Sequence, residues 1–456
     1  MESEQLERGS PLSPAFVPPF AQIAAPDRPP PTLIESAKGI HLTDSTGHRV
    51  IDAWSGMVCV GLGYANDDLV ETMAAQTRQL SYAHSLYDTT HQLAIDLCER
   101  LVDVTPVSLQ HVFLSMSGSD AADTLLKVMR FHNNVTGRPE KKHVIALDRA
   151  YHGANSVVAG LTHFPECNDH FDVPLPTQHH IPSPWHLGAN EGVSADEIIS
   201  KSVDALRATA TAIGPGGAAA FVCEPVMITA GVIVPPLGWL AAMGETCAEL
   251  DMFFMVDEVV TGFGRTGKMF ACEWDGVEPD MMFLAKGMTS GYIPQGAALF
   301  SNEIFRGMTE NISREAIFGH GFTHTGHPPS CAVTLKCIDM YLGLVDASER
   351  LGHQLLDRLS ALSESDPWVA HPRGRGLAAG VDIRTGGDAP VMLDPSLDAM
   401  GRIRREAHRR GLMTRMFDGD MFGFAPPLII TEDEIDEMVD IFAASVAAVR
   451  NNEDQT

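Results

Sequence analysis

The chain has 456 residues, of which 45% are hydrophobic and 20% are charged, and its formal net charge is −27 at pH 7. This length exceeds what a single hydrophobic core usually supports, so two domains are expected. The strong acidity argues against binding to nucleic acid or to anionic membrane surfaces through bulk attraction. No run of about 18 uncharged apolar residues is present to cross a bilayer, and the start of the chain resembles neither a secretory signal nor a transit peptide. A cytoplasmic protein is therefore expected.

The eight cysteines are scattered along the chain, and no two of them have the Cys-x-x-Cys spacing. Neither a zinc site nor a disulfide framework is indicated by this distribution. We expect no bound metal, and thiols that are reduced and mostly buried.

The first segment, residues 1–32, is rich in proline and ends in three consecutive prolines at 29–31. Proline cannot join the interior of a helix or an inner strand, so we interpret this segment as an extended arm of the kind that can lie on a partner subunit. A strand-like alternation from Ile40 to Asp52, broken by turn residues at 44–47, predicts a β-hairpin. We assign residues 33–70 to the N-terminal part of a small domain.

After Leu101 the pattern changes to apolar strands that alternate with helices, which is typical of a parallel α/β sheet. We assign residues 71–330 to a large domain built on this sheet. Several predicted strands are nearly continuous apolar runs, as expected when both faces of a sheet are covered. The strand candidates are His111–Leu114, His143–Leu147, Ala218–Cys223, Met252–Val256 and Met281–Leu284.

Residues 331–450 are assigned to the C-terminal part of the small domain, with a helical stretch over 331–365. The final helix is predicted over Thr431–Val449, because Thr431 and Glu434 have the spacing of a capping box. An apolar stripe on this helix predicts a face that packs in the core. The stripe consists of Ile435, Met438, Val439 and Phe442.

Polar residues follow the predicted strands of the large domain directly. Ligands of open α/β sheets bind outside the carboxyl ends of the strands, so these residues are the first candidates for a functional site. They are Ser115–Asp120, Tyr151–Gly153, Glu224, Asp257–Glu258 and Lys286.

Lys286 follows an apolar run at 281–285 and precedes Gly287, so its amine is expected to emerge from an apolar wall into a cleft. Partial removal from water favours the neutral amine, which a Schiff-base lysine requires. For Lys286 alone, an ordinary salt-bridged lysine is the more common interpretation. Asp257 ends the preceding strand, 29 residues earlier. An anion at this place can keep a pyridine nitrogen protonated, so the pair indicates a pyridoxal 5'-phosphate (PLP) site.

The segment Ser115–Asp120 lies between a strand and a helix whose buried stripe is predicted at 122, 125, 126 and 129. Free backbone N–H groups at such a helix start, next to hydroxyls and a glycine, form an anion site. The alternative is a simple serine N-cap, which is the better interpretation of a lone Ser-Gly-Ser. The segment is not a Walker loop, and no Gly-x-Gly-x-x-Gly follows the first strand, which weakens a nicotinamide-binding interpretation.

The blocks FFMVDEVVTGFGRTG at 253–267 and PDMMFLAKGMTSGYIPQGA at 279–297 resemble the class III aminotransferases, also called the ω-aminotransferase family. The resemblance extends from about residue 19 to about residue 446. It implies fold type I of the PLP-dependent transferases. In this α/β fold a large PLP-binding domain has a mostly parallel central sheet covered by helices, and both termini contribute to a smaller α+β domain.

The resemblance also implies roles for individual residues around the cofactor. Lys286 would be the Schiff-base lysine and Asp257 the partner of the pyridine nitrogen. Tyr151 would stack on the cofactor ring, and Thr323 would reach the phosphate in the neighbouring subunit, which implies a homodimer with two shared sites, or a tetramer built from it. The other implied cofactor-binding residues are Ser117, Gly118, Ser119, His152, Glu224 and Val259.

The substrate side departs from the family pattern. Val58 stands where amine:pyruvate enzymes have a tryptophan, which should open the pocket, and Val260 stands where glutamine is frequent. Thr229 replaces a glutamate that in ornithine- and GABA-type enzymes holds a mobile arginine. Arg415 resembles that arginine and would clamp the carboxylate of the keto acid through a bidentate pair. Tyr87 and Tyr151 complete the predicted substrate-binding set.

These features together predict a ping-pong transamination of an ω-amino acid or primary amine, with pyruvate as the expected keto-acid acceptor. An isomerase of the same fold, an aminomutase or a racemase, is the first alternative, because fold alone does not fix the reaction. A non-catalytic PLP-binding protein and a nicotinamide oxidoreductase are more distant alternatives. The identity of the amino donor stays open.

Overall fold

The computed structural model describes residues 16–20, 31–188, 192–386 and 391–453. Most of the arm predicted for residues 1–32 therefore lies outside the described residues. The strands are β1 Ile34–Lys38, β2 His41–Asp44, β3 Arg49–Asp52, β4 Leu109–Ser115, β5 His143–Leu147, β6 Gln178–Ile181, β7 Ala218–Cys223, β8 Phe253–Asp257, β9 Met281–Leu284, β10 Gly296–Ser301, β11 Val369–Gly374, β12 Ala379–Ile383, β13 Leu412–Met413, β14 Arg415–Phe417 and β15 Met421–Phe424.

The helices alternate with these strands through the middle of the chain. They are α1 Ser55–Val58, α2 Asp67–Gln79, α3 Gln92–Val104, α4 Gly118–Val135, α5 Pro165–Asn168, α6 Ala195–Ile213, α7 Trp239–Glu249, α8 Asn302–Glu310, α9 Pro328–Leu342, α10 Val345–Ser365, α11 Ala399–Arg409 and α12 Glu432–Glu453.

The central sheet has seven strands in the order β4-β10-β9-β8-β7-β5-β6. Six of them share one direction, and β10 alone is antiparallel to both of its neighbours. All residues of β7 and β9 are buried, which agrees with strands covered on both faces. The five predicted strands are confirmed, and the mostly parallel sheet covered by helices is the fold type I architecture.

The two ends of the chain meet in a second sheet, β1-β2-β3-β13. The predicted hairpin is confirmed as β2 and β3, which pair antiparallel, whereas β13 lies parallel to β3. A third, antiparallel sheet has the order β11-β12-β15-β14. The domain boundaries expected at residues 70 and 330 stay a prediction.

The C-terminal helix has the predicted cap and the predicted buried face. The Thr431 backbone N–H donates to Glu434 Oε2 over 2.9 Å, and the Glu434 N–H donates to Thr431 Oγ1 over 3.3 Å. All four residues of the predicted stripe are buried. The helical stretch expected over 331–365 is divided into α9 and α10. No helix in the described ranges is long and apolar enough to span a membrane, and all eight cysteines are free thiols.

Candidate active site

A cavity of about 330 Å³ lies at the carboxyl ends of the central strands. It brings together most of the residues that the sequence predicts for the cofactor. Eight of these line the cavity, namely Ser117, Gly118, Ser119, Tyr151, His152, Asp257, Val259 and Lys286.

Lys286 is placed in the cavity by β9, the buried strand that ends two residues before it. Ala285, between the strand and the lysine, is buried as well. Among the described residues, none forms an ion pair or a hydrogen bond with the Lys286 amine. The arrangement differs from that of an ordinary salt-bridged lysine, and the amine is available to a ligand in the cavity.

Asp257 is the last residue of β8, the strand beside β9. Its side chain is buried and held by two donors. His152 Nδ1 donates to Asp257 Oδ2 over 2.8 Å, and the backbone N–H of Val259 donates to Asp257 Oδ1 over 3.0 Å. The carboxylate is therefore fixed in one orientation at the cavity wall, on the strand next to the lysine.

Glu224 lies directly after β7 and is buried behind the cavity rather than in its lining. Its Oε1 accepts a hydrogen bond of 3.0 Å from the backbone N–H of Tyr151, which ties it to the aromatic residue of the cavity. Burial, reinforced by the negative charge of Asp257, raises the pKa of Glu224 well above its ordinary value. Both causes act against a second negative charge beside Asp257 at the buried ends of β7 and β8.

The start of α4 faces the cavity, and Ser117 is its N-cap. The Ser117 hydroxyl accepts from the Asp120 backbone N–H over 3.2 Å and donates to Asp120 Oδ2 over 2.9 Å. The backbone N–H groups of Gly118 and Ser119 are at the first two positions of the helix, so they have no acceptor within it. The hydroxyl therefore serves the helix as its cap, and the two amides are open to an anion.

Gly118 is needed for the close approach of this helix start to the loop after β8. A Cβ atom at Gly118 would lie 2.9 Å from Val259 Cγ2, which is shorter than a normal carbon–carbon contact. Ser119 is fixed in turn, because its Oγ accepts from the Ala154 backbone N–H over 3.1 Å. Only glycine at position 118 leaves room between the helix start and Val259.

The remaining predicted residues do not line the cavity. Tyr87 is 96% exposed, and Thr323 is exposed with its carbonyl oxygen accepting a hydrogen bond of 2.8 Å from Tyr82 Oη. Arg415 is exposed too, with its guanidinium 5.7 Å from the ring centre of Phe417. These three side chains lie at the surface of the single chain.

Two further substrate-side residues lie beneath the surface. Thr229 is half-buried, and Val58 is buried in an apolar cluster that also contains Val260 and Ile228. Val260 itself lines the cavity. Val58 is therefore one packing layer from the cavity wall.

Sequence reasoning did not single out several of the lining residues, among them Cys59, Thr289 and Gln295. Gln295 is buried, and its Nε2 donates to the carbonyl oxygens of Ser115 and Gly296 over 3.2 and 3.0 Å. It precedes β10, whose first residue pairs with Ser115. Because β10 is antiparallel, its beginning lies at the sheet edge where the other strands end. The available signal is a glutamine directly before a strand. A search limited to residues that directly follow strands does not find it.

The chemistry of these donors fits PLP. An unpaired lysine can bind the cofactor aldehyde, and a fixed buried carboxylate can face its pyridine nitrogen. Two free amides at a helix start can bind its phosphate. Tyr151 and Val259 line the same cavity, where they can flank a flat ring.

Comparison with known proteins agrees with this fit. The model of the family described as aminotransferase class III matches residues 22–446. The chain is 36% identical to an uncharacterized aminotransferase, y4uB, of Sinorhizobium fredii over 92% of this chain and 91% of that one. It is 34% identical to a diaminobutyrate–2-oxoglutarate transaminase of Halomonas elongata, over 92% of this chain and 90% of that one.

Two further similarities are to another relative and to a solved structure. The chain is 32% identical to a putrescine–pyruvate aminotransferase of Pseudomonas aeruginosa, over 93% of this chain and 92% of that one. The solved omega transaminase from Pseudomonas jessenii in complex with PMP superimposes with a TM-score of 0.86 at 33% identity, over 92% of this chain and 93% of that one. The chain therefore belongs to the class III aminotransferases, which are PLP-dependent enzymes.

Proposed function

We propose that this enzyme transfers the amino group of an ω-amino acid or a primary amine to a keto acid, with pyruvate as the acceptor, in two alternating half-reactions. One observation carries the proposal. Lys286, whose amine has no partner among the described residues, and Asp257, whose carboxylate is held in place, line one cavity at the ends of neighbouring strands. Similarity to a putrescine–pyruvate aminotransferase supports pyruvate. The similarity to a 2-oxoglutarate-dependent relative makes 2-oxoglutarate the second candidate acceptor.

In this proposal the chain's own residues hold the phosphate and the ring of the cofactor. The backbone N–H groups of Gly118 and Ser119 bind the phosphate, with the Ser117 hydroxyl capping the helix that presents them. Tyr151 and Val259 enclose the ring. PLP, when bound, supplies an electron sink for the carbon that carries the amino group.

Asp257 would hold the pyridine nitrogen of bound PLP and would stabilise its positive charge. His152 acts through Asp257, because its Nδ1 holds the carboxylate. Glu224 acts through Tyr151, because its Oε1 binds the Tyr151 backbone N–H. We therefore treat His152 and Glu224 as positioning residues.

Lys286 is proposed as the covalent anchor and as the general base and acid. When PLP is bound, the Lys286 amine would accept the proton from the donor's amino-bearing carbon and hold it at Nζ within the cavity. The apolar residues around it, Ala285 and Val260, limit competition from water. The reverse sequence with the keto acid restores the starting state.

On the substrate side, we propose that Val58 leaves room for the donor and that Arg415 binds the carboxylate of the acceptor. Thr229, which carries no charge, leaves Arg415 without an alternative anionic partner at that position. Tyr151 contacts the donor bound in its own cavity. Tyr87 is proposed to contact the donor bound in the cavity of the partner subunit.

The surface positions of Tyr87 and Thr323 support a homodimer with two shared sites, in which Thr323 reaches the phosphate bound by the partner subunit. In the described structure both side chains are exposed, as expected for residues that act across an interface. A tetramer would be a pair of such dimers. A cytoplasmic location, expected from the sequence, is also proposed.

The decisive experiment is a panel of amino donors incubated with pyruvate, in which alanine formation is measured. The panel includes β-alanine, putrescine, isopropylamine and 1-phenylethylamine, and 2-oxoglutarate replaces pyruvate in a parallel set. We expect alanine in step with donor consumption. Conversion of a donor into an isomer without consumption of keto acid would instead establish the aminomutase or racemase alternative, and absence of turnover in both sets would contradict the proposal.

A further inference from the structure

The segment that carries Val58, α1, departs from helical backbone geometry and forms an irregular turn. Ser55, Gly56 and Val58 have φ values of 40°, 71° and 56°. A positive φ is uncommon for any residue other than glycine, and for a β-branched valine it is a clear outlier. Conformations of this kind persist only where the surroundings enforce them.

Asp52, the last residue of β3, enforces this conformation from one side. The side chain is 1% exposed and accepts three hydrogen bonds. Asp52 Oδ1 accepts from the Trp54 backbone N–H over 3.0 Å, and Asp52 Oδ2 accepts from the Gly56 N–H and from Tyr64 Oη, each over 2.6 Å. A single buried carboxylate thus holds the turn at two backbone positions.

Arg265 holds the same turn from the other side. Its Nη2 donates to Ser55 Oγ over 3.3 Å, and Ser55 Oγ donates to the Ala425 carbonyl oxygen over 2.7 Å. Arg265 Nη1 also donates to the carbonyl oxygen of Pro426 over 2.6 Å. Both attachments are buried, so water does not compete with them.

The turn is connected to the cavity through its last residues. Cys59 lines the cavity beside Gly291 and Val260, and Val58 packs on Val260 within one apolar cluster. A displacement of the turn by a fraction of an ångström therefore moves the cavity wall, because closely packed interiors transmit such shifts.

We propose that Asp52 is a positioning residue which fixes the 54–60 segment, whose Cys59 lines the cavity, so that the sizes of amino donor accepted depend on Asp52. The inference rests on the proposed transamination. Asp52 touches neither the cofactor cavity nor its lysine, so its effect passes entirely through the turn.

Asp52→Asn tests the inference, because asparagine replaces one acceptor oxygen with an NH2 group that faces other donors. The full-length holoenzyme is assayed with pyruvate and the smallest and largest amines accepted in the donor panel, with isopropylamine and 1-phenylethylamine as the starting pair. We expect the ratio of kcat/KM for the large amine to that for the small amine to fall about fivefold or more, mainly through KM. Cofactor absorbance should stay unchanged.

Two further variants separate positioning from general destabilisation. Gly56→Ala forces a Cβ onto a backbone at φ 71° and ψ −100° without touching Asp52, and it should shift the donor ratio in the same direction. Asp44→Asn is the matched control, because Asp44 Oδ1 likewise accepts from the backbone N–H groups of Thr46 and His48 over 2.8 and 3.0 Å, but in the exposed β2–β3 turn. Its donor ratio should equal that of the parent.

A donor ratio within twofold of the parent in both Asp52→Asn and Gly56→Ala would overturn the inference. An equal loss for every donor, in proportion to lost folded protein, would also overturn it, because Asp52 would then be merely structural. If the parent enzyme transaminates no donor, the proposed function fails, which is a distinct result from an active parent with an unchanged ratio.

Discussion

His152 Nδ1 donates a 2.8 Å hydrogen bond to Asp257 Oδ2, and both side chains are buried. A hydrogen bond to a buried charged group contributes roughly 1.5–3 kcal/mol. If the hydrogen bond stabilises the transition state by this free energy, its loss slows turnover by roughly 10- to 100-fold. His152 can therefore influence turnover although it does not itself take part in the reaction.

We therefore expect His152→Leu to lower kcat by about 10- to 100-fold with little change in donor KM. His152→Asn should retain most activity, because its side-chain amide can donate from nearly the place of Nδ1. His371→Leu is the matched control, since His371 Nδ1 also lies 2.8 Å from a buried carboxylate, Asp382, but in the third sheet. Steady-state kinetics of the three variants check this prediction, and equal losses in His152→Leu and His371→Leu would contradict it.

Ser117 is expected to act on helix stability more than on cofactor affinity, because its hydroxyl is engaged with Asp120. Ser117→Ala should lower the free energy of unfolding by about 1 kcal/mol and change the PLP dissociation constant less than threefold. Ser194→Ala removes an equivalent cap, at Glu197 on α6, and should show the same loss of stability. A tenfold or greater weakening of PLP binding in Ser117→Ala alone would show that the hydroxyl binds the phosphate directly.

Thr323 is expected to support cofactor binding across a subunit interface. Thr323→Ala should weaken PLP binding several-fold while the dimer, measured by analytical ultracentrifugation, stays intact. Mixing Thr323→Ala with Lys286→Ala subunits provides the control. If the sites are shared, each mixed dimer has one site that retains both residues and one that has neither, so partial activity should return. A monomeric parent protein would contradict the prediction.

Glu258 is expected to make the free energy of unfolding decrease as the pH rises. Burial raises the pKa of Glu258 to about 7. Between about pH 4.3, the pKa of glutamate in the unfolded state, and about pH 7, the folded state binds more protons than the unfolded state. The contribution of Glu258 to the free energy of unfolding therefore falls as the pH rises through this range and does not change further above about pH 7. Glu258→Gln removes this contribution.

The prediction is measured by urea unfolding at pH 5.5 and pH 8. Relative to the parent, Glu258→Gln should gain about 2 kcal/mol in the free energy of unfolding between the lower and the higher pH. Thr261 and the Cys272 backbone N–H both donate to Glu258, so the variant can be less stable at both pH values. The prediction concerns how the difference in the free energy of unfolding between the variant and the parent changes from pH 5.5 to pH 8. No change in this difference would contradict the prediction.

Much of the fold followed from local patterns. Buried strands such as β7 and β9 are continuous apolar runs, and the cap of α12 depends on two residues three positions apart. Such features need only neighbouring residues, so periodicity and spacing reveal them. The same holds for Asp257 and Lys286, which are marked by the ends of their strands.

Other parts of the site depend on long-range packing. Gln295 reaches the cavity because β10 is antiparallel, and Cys59 reaches it from a turn held by Asp52 and Arg265. No local pattern marks the direction of an inserted strand or the positive φ of Val58. The placement of Tyr87 and Thr323 at the surface likewise depends on how distant segments assemble, and their predicted roles depend on a second subunit.

Lys286 is proposed both to anchor PLP and to move the proton. Lys286→Ala is the most direct test, with Lys268→Ala, a lysine paired with Glu349, as the control. We predict that Lys286→Ala loses the visible absorbance of lysine-bound PLP and slows alanine formation by about 10³-fold or more, while Lys268→Ala matches the parent. Full retention of alanine formation by Lys286→Ala would show that Lys286 has neither role.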